Sequence, residues 1–181
     1  MGLVVSFAGQ IGSGKSSVSR GLAAALGWPR AAFGDYLRKL AAAQELDAES
    51  RQVLQDLGQS LVEQDAVAFC RAVLLDGGYT PDGHLLVDGV RHVEIQRDIA
   101  RIVAPSTSRL IYLRAGQSER LSRVQIRPDG QSDFGRAEEH AVESELRREL
   151  PDIADAIIDA ERELGVVVGQ CATQIRAWLS V

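Results

Sequence analysis

Apolar residues recur along the chain with two different periods. Short unbroken runs stand at Leu3-Val4-Val5-Ser6-Phe7-Ala8, Leu85-Leu86-Val87-Asp88, Leu110 to Leu113 and Ala156-Ile157-Ile158-Asp159. They are too brief for helices and rich in branched side chains, so they predict strands buried on both faces. A shorter fifth strand is placed at Ala31 to Gly34. Between these runs, apolar positions return every three or four residues, the period of an amphipathic helix. One helix is predicted from about Lys15 to Leu26, stopped by Gly27 and Pro29, and another starts at Asp35. Asp47 caps a helix to about Leu57 with Gly58 as its stop, and Ser60 to Glu63 forms a capping box opening a helix to about Leu75. Further helices run through Ile95, Ile99 and Ile102 up to Pro105, from Ser118 to Pro128, from Arg136 to Leu150, and to the carboxyl end near Trp178 and Leu179. Strand and helix alternate, which gives an α/β fold: a five-stranded parallel sheet flanked by helices.

The residues between the first strand and first helix change this from a fold reading into a chemical one. Gly9-Gln10-Ile11-Gly12-Ser13-Gly14-Lys15-Ser16 matches G-x-x-x-x-G-K-[S/T], placed between a strand and a helix as its mechanism requires. Glycines let the backbone fold close around phosphate oxygens, so amide groups from Gly9 to Ser17 converge on them at the positive end of a helix. Lys15 is placed to reach the β- and γ-phosphates of ATP, and Ser16 to ligate Mg²⁺. Only Lys15 and Lys39 are lysines among the 20 basic residues, which singles out the ammonium group in the loop.

In a parallel α/β sheet the site lies beyond the carboxyl ends of the strands. Asp88 ends an apolar strand there and suits a second Mg²⁺ ligand, although the Gly89 behind it also suits a turn. Arg91 is placed to hold a phosphate in a bidentate grip. Asp35 and Arg38, one turn apart at a helix start, suit an acceptor pocket. Arg120, Arg123 and Arg127 fall on one helix face, where like charges repel unless an anion joins them.

Taken in this order, the segments resemble P-loop small-molecule kinases of the nucleoside monophosphate kinase group. Gly34-Asp35-Tyr36-Leu37-Arg38 resembles the G-D-x-L-R segment of adenylate kinases, whose Arg holds the acceptor phosphate. Leu86 to Arg91 resembles their D-G-x-P-R segment, one residue shorter and without the Pro, and Gln96 falls near the Gln that reads the acceptor base. Arg123-x-x-x-Arg127 resembles the start of their lid, while the short Pro128–Gly135 connection is closer to dephospho-coenzyme A kinases. The resemblance implies a three-layer P-loop kinase fold with a helical acceptor-binding insertion and a short lid. The single domain, 1–181, then divides into a core (1–34, 84–118 and 150–181), acceptor-binding helices (35–78) and a lid region (119–149). It also implies Mg²⁺ and ATP as cofactors. Lys15, Asp35, Arg123 and Arg127 become the catalytic residues, and Asp35, Arg38, Arg91 and Gln96 the acceptor site.

The expected activity is transfer of the γ-phosphoryl of ATP to a small, nucleotide-like, phosphate-bearing acceptor, foremost a nucleoside monophosphate. Two alternatives stay open: a hydroxyl-directed small-molecule kinase, with Asp35 as base, and a nucleotide-dependent switch or ATPase without an acceptor. Length and charge narrow the partners further. The 181 residues fit one domain with its own core. A net charge of −5 excludes a broad basic surface for nucleic acid, and no apolar run is long enough to span a membrane. Cys70 and Cys171 are too few for a disulfide framework, which together with an uncharged amino-terminal segment gives a cytoplasmic expectation.

Overall fold

The computed structural model describes residues 1–126 and 141–180. In chain order the elements are β1 (Leu3–Ala8), α1 (Lys15–Leu26), β2 (Arg30–Ala32), α2 (Phe33–Ala43), α3 (Arg51–Asp76), β3 (Leu85–Asp88), α4 (Val93–Val103), β4 (Thr107–Arg114), α5 (Gln117–Gln125), α6 (Ala141–Ile153), β5 (Ala156–Asp159) and α7 (Leu164–Leu179). The five strands form one sheet in the order β2-β3-β1-β4-β5, and every neighbouring pair is parallel. β2 and β3 lie on one side of β1, and β4 and β5 on the other, so the chain reverses direction across the sheet beside β1. A cleft opens at the carboxyl ends of the strands at such a point.

The two-residue alternation of a strand divides the core into two layers. Val4 and Ala8 of β1 join Leu85, Val87, Leu110 and Tyr112 beneath α3, α4 and α6. Leu3, Val5 and Phe7 join Leu86, Ile111 and Leu113 beneath α1 and α7. Phe7, Leu85, Leu86 and Ile111 are completely buried, each contributing on the order of 1.5–3 kcal/mol from burial.

Several boundaries differ from the sequence expectation. β2 runs over Arg30–Ala32 rather than Ala31 to Gly34, because α2 begins at Phe33 with no intervening loop. β4 starts at Thr107, three residues before its apolar stretch, because Thr107 and Ser108 pair with Leu3 and Val4 of β1. The two helices expected on either side of Gly58 are one element starting at Ser50, whose hydroxyl accepts from the Val53 amide. Gly58 stays helical because its missing side chain makes room for Leu37: a Cβ there would lie 3.2 Å from Leu37 Cδ1. The break in α3 comes at Asp65, which is extended, and its carboxylate accepts from the Ala68 amide at 2.8 Å, a helix cap inside the span. The expected Ser60 cap is not made; Ser60 Oγ accepts instead from the Gln64 side chain. Helix α6 passes through Pro151 to Ile153 rather than stopping at Leu150. Arg127, the Pro128–Gly135 lid and Arg136 lie outside the described residues. Among the described residues, no helix is long and apolar enough to cross a membrane.

Candidate functional site

The loop between β1 and α1 is shaped by positive-φ glycines at positions 9, 12 and 14. Gly12, at φ +80°, lies against α5: a Cβ there would stand 2.5 Å from the Arg120 carbonyl oxygen. Gly14, at φ +87°, precedes α1 and supplies no side-chain cap, which leaves the first amides of the helix for an anion. Lys15 Nζ donates back to the carbonyl oxygens of Gly9 (2.5 Å) and Gln10 (3.0 Å), so the ammonium lies over the loop it is expected to serve.

The arginines of α5 do not share one open basic face. Arg120 is 3% exposed, and its guanidinium donates to the carbonyl oxygens of Ala115 and Ile11, both at 3.2 Å. It supports the phosphate loop from below. Arg123 stays closer to its expected place: its Nη1 lies 3.7 Å from the Cβ position of Gly14. Its Nε donates to Glu119 at 2.9 Å and its Nη2 to the Ala160 carbonyl at 2.7 Å.

At the strand ends three residues converge. Asp88 lies in register with Phe7 of β1 and Ala32 of β2. Asp35 sits in the first turn of α2, where a carboxylate is favoured by the helix dipole. Arg30, which no motif singled out, opens β2 and joins the other two: Nη1 to Asp35 Oδ2 at 2.8 Å, and Nη2 to Asp88 Oδ2 at 2.5 Å. The only sequence signal for it is a charged residue entering an apolar strand of a parallel sheet, which demands a buried partner. Arg38 takes the other oxygen of Asp35 at 3.0 Å. Burial works against ionisation of Asp35, but Arg30, with Arg38 and Arg20, outweighs it and holds the carboxyl below its ordinary value. Burial likewise opposes the charge on Arg30, and the two carboxylates more than offset it, raising its pKa.

These groups line a cavity of about 340 Å³ that runs from Lys15 and Ser16, past Asp88, Asp35, Arg38 and Arg91, to the face of α3 carrying Arg51, Gln55 and Gln59. Gln96 does not line it. Ile95 and His92 do, and Gln96, about 100° further round α4, is buried and donates to Ser108 Oγ of β4 at 3.2 Å. Gln96 is thus not brought together with Asp35, Arg38 and Arg91, the other residues expected at the acceptor site. Asp88 Oδ1 is buried and has no hydrogen-bond partner among the described residues. An orphaned carboxylate oxygen on Asp88, with Ser16 lining the same cavity, fits a cation that would take its remaining ligands from phosphates and water, as Mg²⁺ does. No cluster of three or more His, Cys, Asp or Glu residues suited to holding a metal by itself occurs among the described residues.

Residues 5–148 match the family model described as an AAA domain. A cytidylate kinase from Pyrobaculum aerophilum is 31% identical over 147 residues, which make up 81% of this chain and 71% of that protein. The chain belongs to this P-loop kinase family. Solved P-loop kinases share its fold at low identity. Shikimate kinase from Aquifex aeolicus is 15% identical with a TM-score of 0.59 over 96% of each chain. Shikimate kinase from Acinetobacter baumannii, in complex with shikimate, is 13% identical with a TM-score of 0.63 over 97% of this chain and 93% of that one.

Proposed function

We propose that this P-loop kinase transfers the γ-phosphoryl of ATP to a nucleoside monophosphate. The observation that carries the reading is the state of Asp35. Both its oxygens are held by arginines, and its carboxyl is kept below the ordinary range. A carboxylate so engaged is a weak proton acceptor. An acceptor hydroxyl needs a base, whereas a phosphate acceptor is already anionic at neutral pH. Arg38 and Arg91 on the same cavity supply the cations to hold that phosphate. The cytidylate kinase relative points the same way.

The amides of the loop and Lys15 hold the triphosphate tail, and Arg123, beside Gly14, faces the transferring group. Ser16 and Asp88 would hold Mg²⁺, which when bound would supply charge neutralisation for the transferring phosphoryl group. Asp35 keeps Arg38 on the acceptor side of the cavity until a phosphate arrives, instead of taking a proton. The hydroxyl-directed alternative keeps one observation in its favour: Asp35 lines the cavity.

The test is phosphoryl transfer from labelled ATP to a panel of nucleoside monophosphates, nucleosides, dephospho-coenzyme A and shikimate. Label in a nucleoside diphosphate is the expected result. Label only in a hydroxyl-bearing acceptor, or ATP hydrolysis that no acceptor accelerates, overturns the proposal.

A further inference from the structure

Arg30 uses its donors on three different groups. Besides Asp35 and Asp88, its Nε donates to Ser19 Oγ at 2.8 Å, and the completely buried Ser19 donates in turn to the Ser16 carbonyl at 3.2 Å. One planar fork thus touches Asp88 directly, reaches the backbone of Ser16 through one hydroxyl, and holds the carboxylate on the acceptor side. We propose that Arg30 is a positioning residue for phosphoryl transfer, fixing the metal side and the acceptor side of the site relative to one another. The acceptor half of this role rests on the nucleoside monophosphate reading; the metal half does not.

Two features support the role. Arg30 engages Asp88 through Oδ2 alone, so Oδ1 keeps its lone pairs while the carboxylate is held at a fixed rotation. Partners behind a metal ligand set its orientation, and losing them costs about 10- to 100-fold in metal affinity or activity. On the other side, Asp35 has one buried and one exposed partner. The Arg30 side chain is 13% exposed and that of Arg38 is 49% exposed. Arg38 can leave Asp35 for an incoming phosphate because Arg30 stays behind to balance the carboxylate. Without Arg30, Asp35 and Asp88 face each other with no cation between them, and Arg38 is retained by Asp35 instead of meeting the acceptor. Only a guanidinium spans these positions; an ammonium is a single point charge that reaches one carboxylate at a time.

The experiment compares Arg30→Met and Arg30→Lys with the parent protein. Mn²⁺ binding to the protein–ADP complex is read by electron paramagnetic resonance with no acceptor present, and turnover is then measured with the best acceptor of the panel above. For Arg30→Met the expected results are Mn²⁺ affinity about 10- to 100-fold lower and kcat lower by a similar factor, with metal-free ADP affinity within about twofold of the parent. Arg30→Lys is expected to fold like the parent and recover part of the Mn²⁺ affinity, with kcat still about tenfold down. Mn²⁺ affinity and kcat that stay within twofold of the parent in either variant overturn the proposal, whatever the melting temperature does. Should Arg30→Met fail to fold, Arg30→Lys alone decides, because parent-like turnover with a single ammonium refutes the need for a fork. If nothing on the panel is phosphorylated, the proposed acceptor class fails, while the Mn²⁺ measurement still decides the metal half.

Discussion

Replacing Gly12 by alanine puts a methyl group where the Arg120 carbonyl oxygen already sits. The added Cβ would lie 2.5 Å from that oxygen and 3.0 Å from the Arg120 carbonyl carbon and Cα. All three are backbone atoms at the start of α5, so no side chain can swing aside. The loop must also keep φ near +80°, which costs an L-residue roughly 1–2 kcal/mol. Relieving the overlap in a packed site adds about 1–3 kcal/mol. The sum is about 2–5 kcal/mol of lost stability, a large share of a typical domain's total. Gly14→Ala is the control. Its φ of +87° imposes the same backbone strain, but the nearest heavy atom, Arg123 Nη1, would be 3.7 Å away, an ordinary contact. It should therefore lose only about 1–2 kcal/mol. The assay is urea unfolding of the ligand-free proteins, with stability read from the midpoints at unchanged slope. Two variants that agree within about 0.5 kcal/mol would show that α5 does not buttress the phosphate loop.

Other perturbations test the site from different sides. Lys15→Met should lower kcat by about 10²-fold or more, because it removes a preorganised cation from the transferring charge; steady-state kinetics measures it, and near-parent turnover refutes the loop assignment. Asp35→Asn should lower stability at neutral pH by an amount that shrinks in acid. The depressed pKa means that the Asp35 contribution is complete above the ordinary carboxylate value of 3.8 and disappears as pH falls through the lower folded value; paired melts across pH measure it, and a gap that widens in acid contradicts the ion pairs. Burial, with the nearby Asp98 charge, pushes the Cys70 thiol up to about 12, and burial pushes Cys171 to about 12. Both should resist a thiol reagent at pH 8 in the native protein and react on unfolding; fast native labelling would place them at the surface.

Much of the scaffold was legible because its signals are local. Leu3–Ala8 and Leu85–Asp88 are apolar runs that a parallel sheet requires, and the glycine loop with Lys15 carries its mechanism in its spacing. What the sequence hid depends on contacts across the fold. Gly58 reads as a helix stop and is instead a clearance for Leu37, 21 residues earlier in the chain but adjacent in space. Arg120 reads as one of a basic row, but its spacing does not say that the phosphate loop lies beneath it. Gln96 has the right neighbours along the chain, and only the angular setting of α4 turns it to Ser108. Arg30 was invisible because its partners, Asp35 and Asp88, are ordered by strand pairing rather than by sequence distance.

The interruption of α3 at Asp65 divides labour along that helix. Beyond it lie all of the helix's buried residues, Phe69, Cys70, Val73 and Leu74, of which Phe69 also reaches the cavity. Before it lie Arg51, Gln55 and Gln59, which border the cavity. Under the proposed function, exchanges at Arg51, Gln55 and Gln59 would redraw which acceptor is taken while Cys70, Val73 and Leu74, and the folding free energy of their burial, are left alone. A protein built this way can change its diet without relearning how to fold.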